Sequence, residues 1–216
     1  MARPTRPRSR VRPWMIWSAV LAVLAVSAVT STKFVSLQEA EAAASGERFD
    51  AATYADERFA SEIAPQIEAD AVDLATLLTS LAEGADEAEF GNTPGSGSAY
   101  SFPVEFTAVA GESAGSILPV TVEGVPAEIT TQVQIGPAIN GTALRDVTGT
   151  ISFNEFTNQL EFQEVATELN NSVRESVLAD VDPATLPGAT IRVVGAFTRV
   201  NPELVSVVPV VFEVQQ

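Results

Sequence analysis

Cysteine and histidine are both missing from the 216-residue chain. Without cysteine there is no disulfide, no thiol nucleophile and no thiolate metal site. Without histidine the commonest general base and the commonest metal ligand are gone. Serine–histidine and cysteine–histidine catalysis are therefore excluded within this chain. Positive charge is scarce beyond residue 33. There, six arginines (Arg48, Arg58, Arg145, Arg174, Arg192 and Arg199) stand against all 28 acidic residues, a net charge of −22. A surface of that sign repels phosphate backbones, so no nucleic acid is expected as partner. Its plainest role is solubility.

The start of the chain has the opposite bias. Residues 1–33 carry six cations and no acid, and residues 1–13 read as a basic cytoplasmic tail. From Trp14 to Val29 there is no charge, and the weakly polar run extends to Val35, about 20 residues and enough to span a bilayer. Five arginines precede it, which predicts a cytoplasmic N-terminus, and Trp14 and Trp17 suit the interfacial belt. The expectation is a single-pass transmembrane anchor over residues 14–35, followed by a tether over 36–48. A cleaved signal peptide is the rival, with Val26-Ser27-Ala28 or Ala42-Ala43-Ala44 at the cut. The near-spanning length favours the anchor. Either way the rest of the chain is exported, into the periplasm or the extracellular space.

The exported part is long enough for one domain with a real core. Phe59, Ile63, Ile67, Ala71, Leu74, Leu78 and Leu81 recur at helical spacing, which predicts a helical subdomain over residues 49–82. Pro65 interrupts it, so a kink or two helices are expected. Residues 83–98 are acidic, then rich in Gly, Ser and Pro, and read as a loop.

From Ala99 the period falls to two. Tyr100, Phe102, Val104 and Phe106 alternate with polar residues and with Pro103, which suggests an edge or a bulge. Residues 117–122 and 128–135 read as two further strands, and 189–198 and 205–214 as the last two, with Gly195 marking a bulge. Between the third and fourth strands, Phe162, Val165, Ala166, Leu169, Val173 and Val177 predict a helix over 157–180, with Thr157 as its N-cap. The fold class expected is therefore α+β, mainly β. Residues 99–216 are expected to form an OB-like five-stranded barrel with a helix between strands three and four, with another small α+β sandwich as the alternative. The helical subdomain and one transmembrane helix precede it.

The most distinctive stretch is QIGPAINGTALRDVTGTISFNEFTNQLEFQ, residues 134–163. Gly136, Pro137, Gly141 and Gly149 set its turns. Asn140, Thr142, Arg145, Asp146, Asn158 and Gln159 are its candidate ligand- or partner-binding residues. Arg145 is the only cation between residues 59 and 173. Its planar fork could hold a ligand carboxylate or a sugar's paired hydroxyls. The bland alternative is that Arg145 pairs with an acid of its own domain, Asp146 caps a turn, and Asn158 and Gln159 begin a helix. Phe153 and Phe156 are expected in the core.

The same stretch carries a resemblance. IGPAINGTALRD followed by ISFNEFTNQLEF, together with PGATIRVVGAF and the closing VVPVVFEV, resembles a bacterial family of predicted periplasmic lipoproteins of unknown function. The similarity runs from Phe49 to the C-terminus. Gly136, Pro137, Gly141, Thr142, Arg145, Asp146, Phe156, Asn158 and Gln159 match the family pattern. Members are often encoded beside sugar ABC transporters, which implies an envelope role near carbohydrate uptake. This chain has no cysteine to lipidate, so a transmembrane helix would have to replace the lipid.

The expected function is that of a non-catalytic accessory or binding protein that contacts ABC-transporter components or a saccharide. A structural or assembly protein of the envelope without a small-molecule ligand is the alternative. A hydrolase with paired carboxylates is a third reading, but nothing singles out two of the many acids. No cofactor or metal site is expected. Asp180-Val181-Asp182 lacks the ligand spacing of a calcium loop, and no glycine-rich phosphate loop is present.

Overall fold

A computed structural model describes residues 49–215. The expected tail, membrane span and tether over residues 1–13, 14–35 and 36–48 lie outside the described residues. Among the described residues no helix is long and apolar enough to cross a membrane.

Five strands close on themselves. Strand β2 (Ser101–Ala110) buries Phe102, Val104, Phe106, Ala108 and Ala110 and exposes Glu105, Thr107 and Val109, the alternation of a strand with one face inward. It pairs antiparallel with β3 (Ile117–Val122), which pairs antiparallel with β4 (Thr130–Gln134). β4 runs parallel to β6 (Leu204–Gln215), β6 antiparallel to β5 (Thr190–Thr198), and β5 antiparallel to β2, which closes the ring. A sixth strand, β1 (Val72–Asp73), only touches β2 at Val104 and Glu105. The order β2-β3-β4-β6-β5, with one parallel pair, is the connectivity of the OB-type Greek-key barrel.

Two prolines and a glycine shape the ring. Pro103 lies inside β2 opposite Ala196, and β1 begins to pair only at the next residue, Val104. The register between β5 and β6 shifts at Val194/Gly195, where Gly195 faces Pro209. A Cβ at Gly195 would stand 2.3 Å from the Val208 carbonyl oxygen and 2.8 Å from a Val207 methyl. The bulge therefore requires a residue without a side chain, and it lets β6 cross close to β5.

The helices were expected as a subdomain of their own; they form part of the barrel's packing instead. Helix α1 (Ala51–Arg58) is capped by Asp50, whose Oδ1 accepts from the Ala52 and Thr53 amides at 3.0 and 3.2 Å. It runs through one wide turn, Phe59–Ile63, into α2 (Ala64–Asp70). The wide turn precedes Pro65, whose ring would clash with the carbonyl of a regular preceding turn. Ala51, Ala55, Phe59, Ile63 and Ile67 form the buried stripe. They pack with α5 (Gln159–Ser172), through Phe162, Val165 and Leu169, and with Val194, Ala196, Val208 and Val210 of the barrel. A second cluster joins Leu74, Leu77 and Leu78 of α3 (Leu74–Ala82) to the barrel interior around Phe102, Leu118, Val133 and Phe197. The physical reason is β5: Val194 and Ala196 are buried beneath the helices, while Ile191, Val193 and Phe197 fill the barrel.

Gly195→Ala should destabilise the domain by about 1–3 kcal/mol or more, because the obstructing oxygen belongs to the backbone. Urea unfolding followed by circular dichroism would measure it. Gly95→Ala, where an added Cβ meets nothing within 4 Å, should be close to neutral.

Candidate functional site

The connection between β4 and β5 builds a groove at the rim of the barrel. It leaves β4 at Gln134, whose buried amide holds the next turn from both sides. Its Nε2 donates to the Asn140 carbonyl at 3.1 Å, and the Asn140 amide donates to its Oε1 at 2.8 Å. Gly141 has φ +100°, which a side-chain-bearing residue rarely adopts. Its carbonyl accepts from the Asn170 side chain of α5 at 3.0 Å. The chain then makes a single helical turn, α4 (Ala143–Asp146), with all four residues buried.

Arg145 and Asp146 face inward at 3% and 5% exposure. Arg145 Nε and Nη2 donate to the two carboxylate oxygens of Asp146 at 2.7 and 3.1 Å, and Nη1 donates to the Phe162 carbonyl at 3.0 Å. The guanidinium lies 3.6 Å from the Phe162 ring centroid. Fork, carbonyl and stacking together fix it in one plane. Beside this cluster lies an open groove of about 600 Å3. Thr142, Arg145, Asp146, Phe153, Gln159, Phe162 and Gln163 form one wall. Pro94, Ser98 and Ala99, before β2, and Thr198 and Val200, at the end of β5, form the other.

Four of the six candidate residues thus meet: Thr142, Arg145, Asp146 and Gln159 all line the groove. Asn140 and Asn158 do not. Asn140 is held by Gln134 through its backbone. Asn158, rather than the expected Thr157, is the N-cap of α5: its Oδ1 accepts from the Leu160 and Glu161 amides at 2.9 and 3.1 Å. The Thr157 amide donates to Glu161 Oε2 at 2.8 Å, so the pair shares the helix start. Phe156 is in the core as expected. Phe153 is not: it is 43% exposed, edge-on to Phe162 with ring centroids 5.5 Å apart. Residues 153–155 form a short turn closed by a reciprocal bond pair between Ser152 and Glu155, too tight to carry Phe153 inward.

That turn is braced against α1. The Tyr54 hydroxyl donates to Glu155 Oε2 at 3.1 Å and accepts from Arg58, which also pairs with Glu62. Burial, only partly opposed by the nearby Arg58 charge, pushes the Tyr54 phenol up to about 12. The uncharged phenol is therefore the form the fold favours.

Sequence reasoning missed Phe162, Gln163 and the barrel-side wall. Gln163 carried a signal, since it follows Gln159 by one helical turn and shares its face. Ser98 and Thr198 come together only through the pairing of β2 with β5, which aligns Ser101 with Thr198.

A family model described as a predicted periplasmic lipoprotein, DUF2291, matches residues 19–213. The chain belongs to this family. Its description agrees with an extracytoplasmic location and assigns no activity. No curated protein matches the chain. Among solved structures, an OB-fold protein from Thermotoga maritima aligns with a TM-score of 0.63 and 20% identity. The alignment covers 78% of this chain and 100% of that one. At that identity the likeness shows the fold, and it agrees with the strand order above.

Removing one partner of the buried pair leaves the other uncompensated. Arg145→Ala and Asp146→Ala should each cost about 3–5 kcal/mol, and the double variant should cost less than their sum, read from a double-mutant cycle in urea. The Tyr54 phenol predicts an alkaline effect. Its contribution is full below pH 10 and is lost as pH rises through about 12. The stability advantage of wild type over Tyr54→Phe should therefore shrink across that window, measured as the difference in melting temperature.

Proposed function

We propose that the chain is a non-catalytic extracytoplasmic accessory or binding protein of a carbohydrate ABC-transport system, held at the membrane by residues 14–35. The observation that carries the non-catalytic reading is the state of the groove's carboxylate. Asp146 is the one acid among the lining residues, and it is buried and forked onto Arg145. General acid–base chemistry needs a proton acceptor free to reach substrate, and glycoside hydrolysis needs two carboxylates across a bond. The groove offers neither. What it does offer is an open, uncharged rim on a rigid barrel, which suits recognition. The transport association is supported by the family resemblance and by export, and the absence of cysteine supports a helical anchor in place of a lipid.

One observation favours the alternative, a structural or assembly protein of the envelope. Arg145 is spent on its own Asp146 and on Phe162, so its first duty is to the fold. The two readings separate on rim residues that the fold does not need. Val200→Asp in the groove wall, with Leu160→Asp outside it as the control, both at exposed positions, should leave the melting temperature within about 1–2 °C of wild type. The full-length protein, captured from detergent-solubilised membranes of its native host, should enrich sugar-transport components, and the Val200→Asp variant should lose them. Repeated capture without any transport protein would sink the accessory reading.

A further inference from the structure

We infer that the groove beside Arg145 binds a neutral saccharide of one or two rings. The inference rests on the accessory reading above and names the ligand of its site. Charge is the first argument. The chain beyond residue 33 stands at −22, so an anionic ligand approaches against the field of the whole domain. A cationic ligand finds no free carboxylate, because the groove's two ionised side chains, Arg145 and Asp146, cancel each other at 2.7 and 3.1 Å. Every other lining residue is uncharged. In a domain this acidic, an uncharged groove of about 600 Å3 selects a neutral ligand of modest size.

Hydrogen-bonding capacity is the second argument. Arg145 has five N–H donors, and three are used: Nε and one on Nη2 by Asp146, one on Nη1 by Phe162. The remaining two, one on each Nη, have no partner among the described residues. They belong to a side chain 3% exposed that nonetheless lines the groove. Stacking on Phe162 fixes their direction before any ligand arrives, so little ordering is needed on binding. Gln159 and Gln163 stand one turn apart on α5, both exposed, and neither side-chain amide has a partner among the described residues. Each presents a donor and an acceptor. A sugar hydroxyl is itself both, and it is matched by such amides and by the hydroxyls of Thr142 and Ser98; the Thr198 hydroxyl is already shared with Ser101 at 2.8 Å.

The third argument is the apolar surface set among these groups. Phe153 is 43% exposed and is held edge-on to Phe162, and Val200 opposite is 81% exposed. A pyranose has C–H faces as well as hydroxyl edges, so an aromatic surface beside convergent amides suits it better than a wholly polar or wholly apolar solute.

The test is isothermal titration of the full chain in detergent with the neutral aldopentoses, aldohexoses and their common disaccharides. Glucuronate and glucose 6-phosphate serve as charged controls. At least one neutral sugar should bind, and its charged analogue should bind at least about tenfold more weakly. Phe153→Ala and the double variant Gln159→Ala/Gln163→Ala should each weaken binding about tenfold or more. The double variant should do so at unchanged melting temperature, since neither amide has a partner among the described residues, whereas Phe153→Ala also gives up its edge contact with Phe162. A silent panel overturns the inference, as does a charged sugar that binds more tightly than its neutral parent, or binding that both variants leave intact. A silent panel combined with capture of transport proteins from membranes leaves the accessory reading standing and removes this one. Sugar binding without any transport partner does the reverse.

Discussion

Strand β5 has almost no face left for water, and the rest of the domain is arranged around that constraint. Ile191, Val193 and Phe197 point into the barrel, where they meet Phe102 and Leu118. Val194 and Ala196 point outward, where only a layer of helices can cover them. Burying both faces of one strand is possible only if something packs on each side, so α1, α2 and α5 are tied to the barrel rather than appended to it. Gly195 sits at the centre of this arrangement and lets β6 pass within contact distance. The hydrophobic gain is spread over two clusters, and both include residues of the strand that closes the ring.

The groove follows from the same closure. Because β2 and β5 pair along their length, the residues before β2 and after β5 meet at one rim. Because α5 packs on α1 and α4 within the cluster that buries Val194 and Ala196, its first turn lies at that rim as well. Arg145 then locks α4 to α5 through the Phe162 carbonyl and ring. The buried ion pair is costly to desolvate, and its three side-chain bonds and stacked ring are what make it tolerable. The cluster organises one wall of the groove and leaves two Arg145 donors without a partner among the described residues.

Much of the barrel was legible in the chain. The alternation at Tyr100, Phe102, Val104 and Phe106 predicts β2, and the 3.6-residue stripe from Phe162 to Val173 predicts α5. Gly195 within a run of apolar residues predicts the bulge. The helical stripe at Phe59, Ile63 and Ile67 was legible too, but not what it covers. The run IRVVGAF lacks alternation and so announces a strand buried on both faces, without saying by what. Arg145 and Asp146 are adjacent in sequence, and neighbours on a helix ordinarily diverge, so their pairing could not be read from spacing. Thr157 and Asn158 are both good caps, and periodicity does not choose between them. The barrel wall of the groove joins Ser98 to Thr198, a long-range meeting that no local pattern encodes.

The one parallel pair within the barrel ring also sets an order of events during export. Besides β3, β4 bonds to β6 rather than to β5, the next strand in the chain, and β6 supplies a partner for β5 as well. Neither seam can form while β6 is still on the far side of the membrane. A chain threaded outward from its N-terminal end must therefore hold β2, β3 and β4 as an open, unsealed sheet until its last strand emerges. The acidic surface suits that interval, since like charges keep half-built copies apart before their edges are joined.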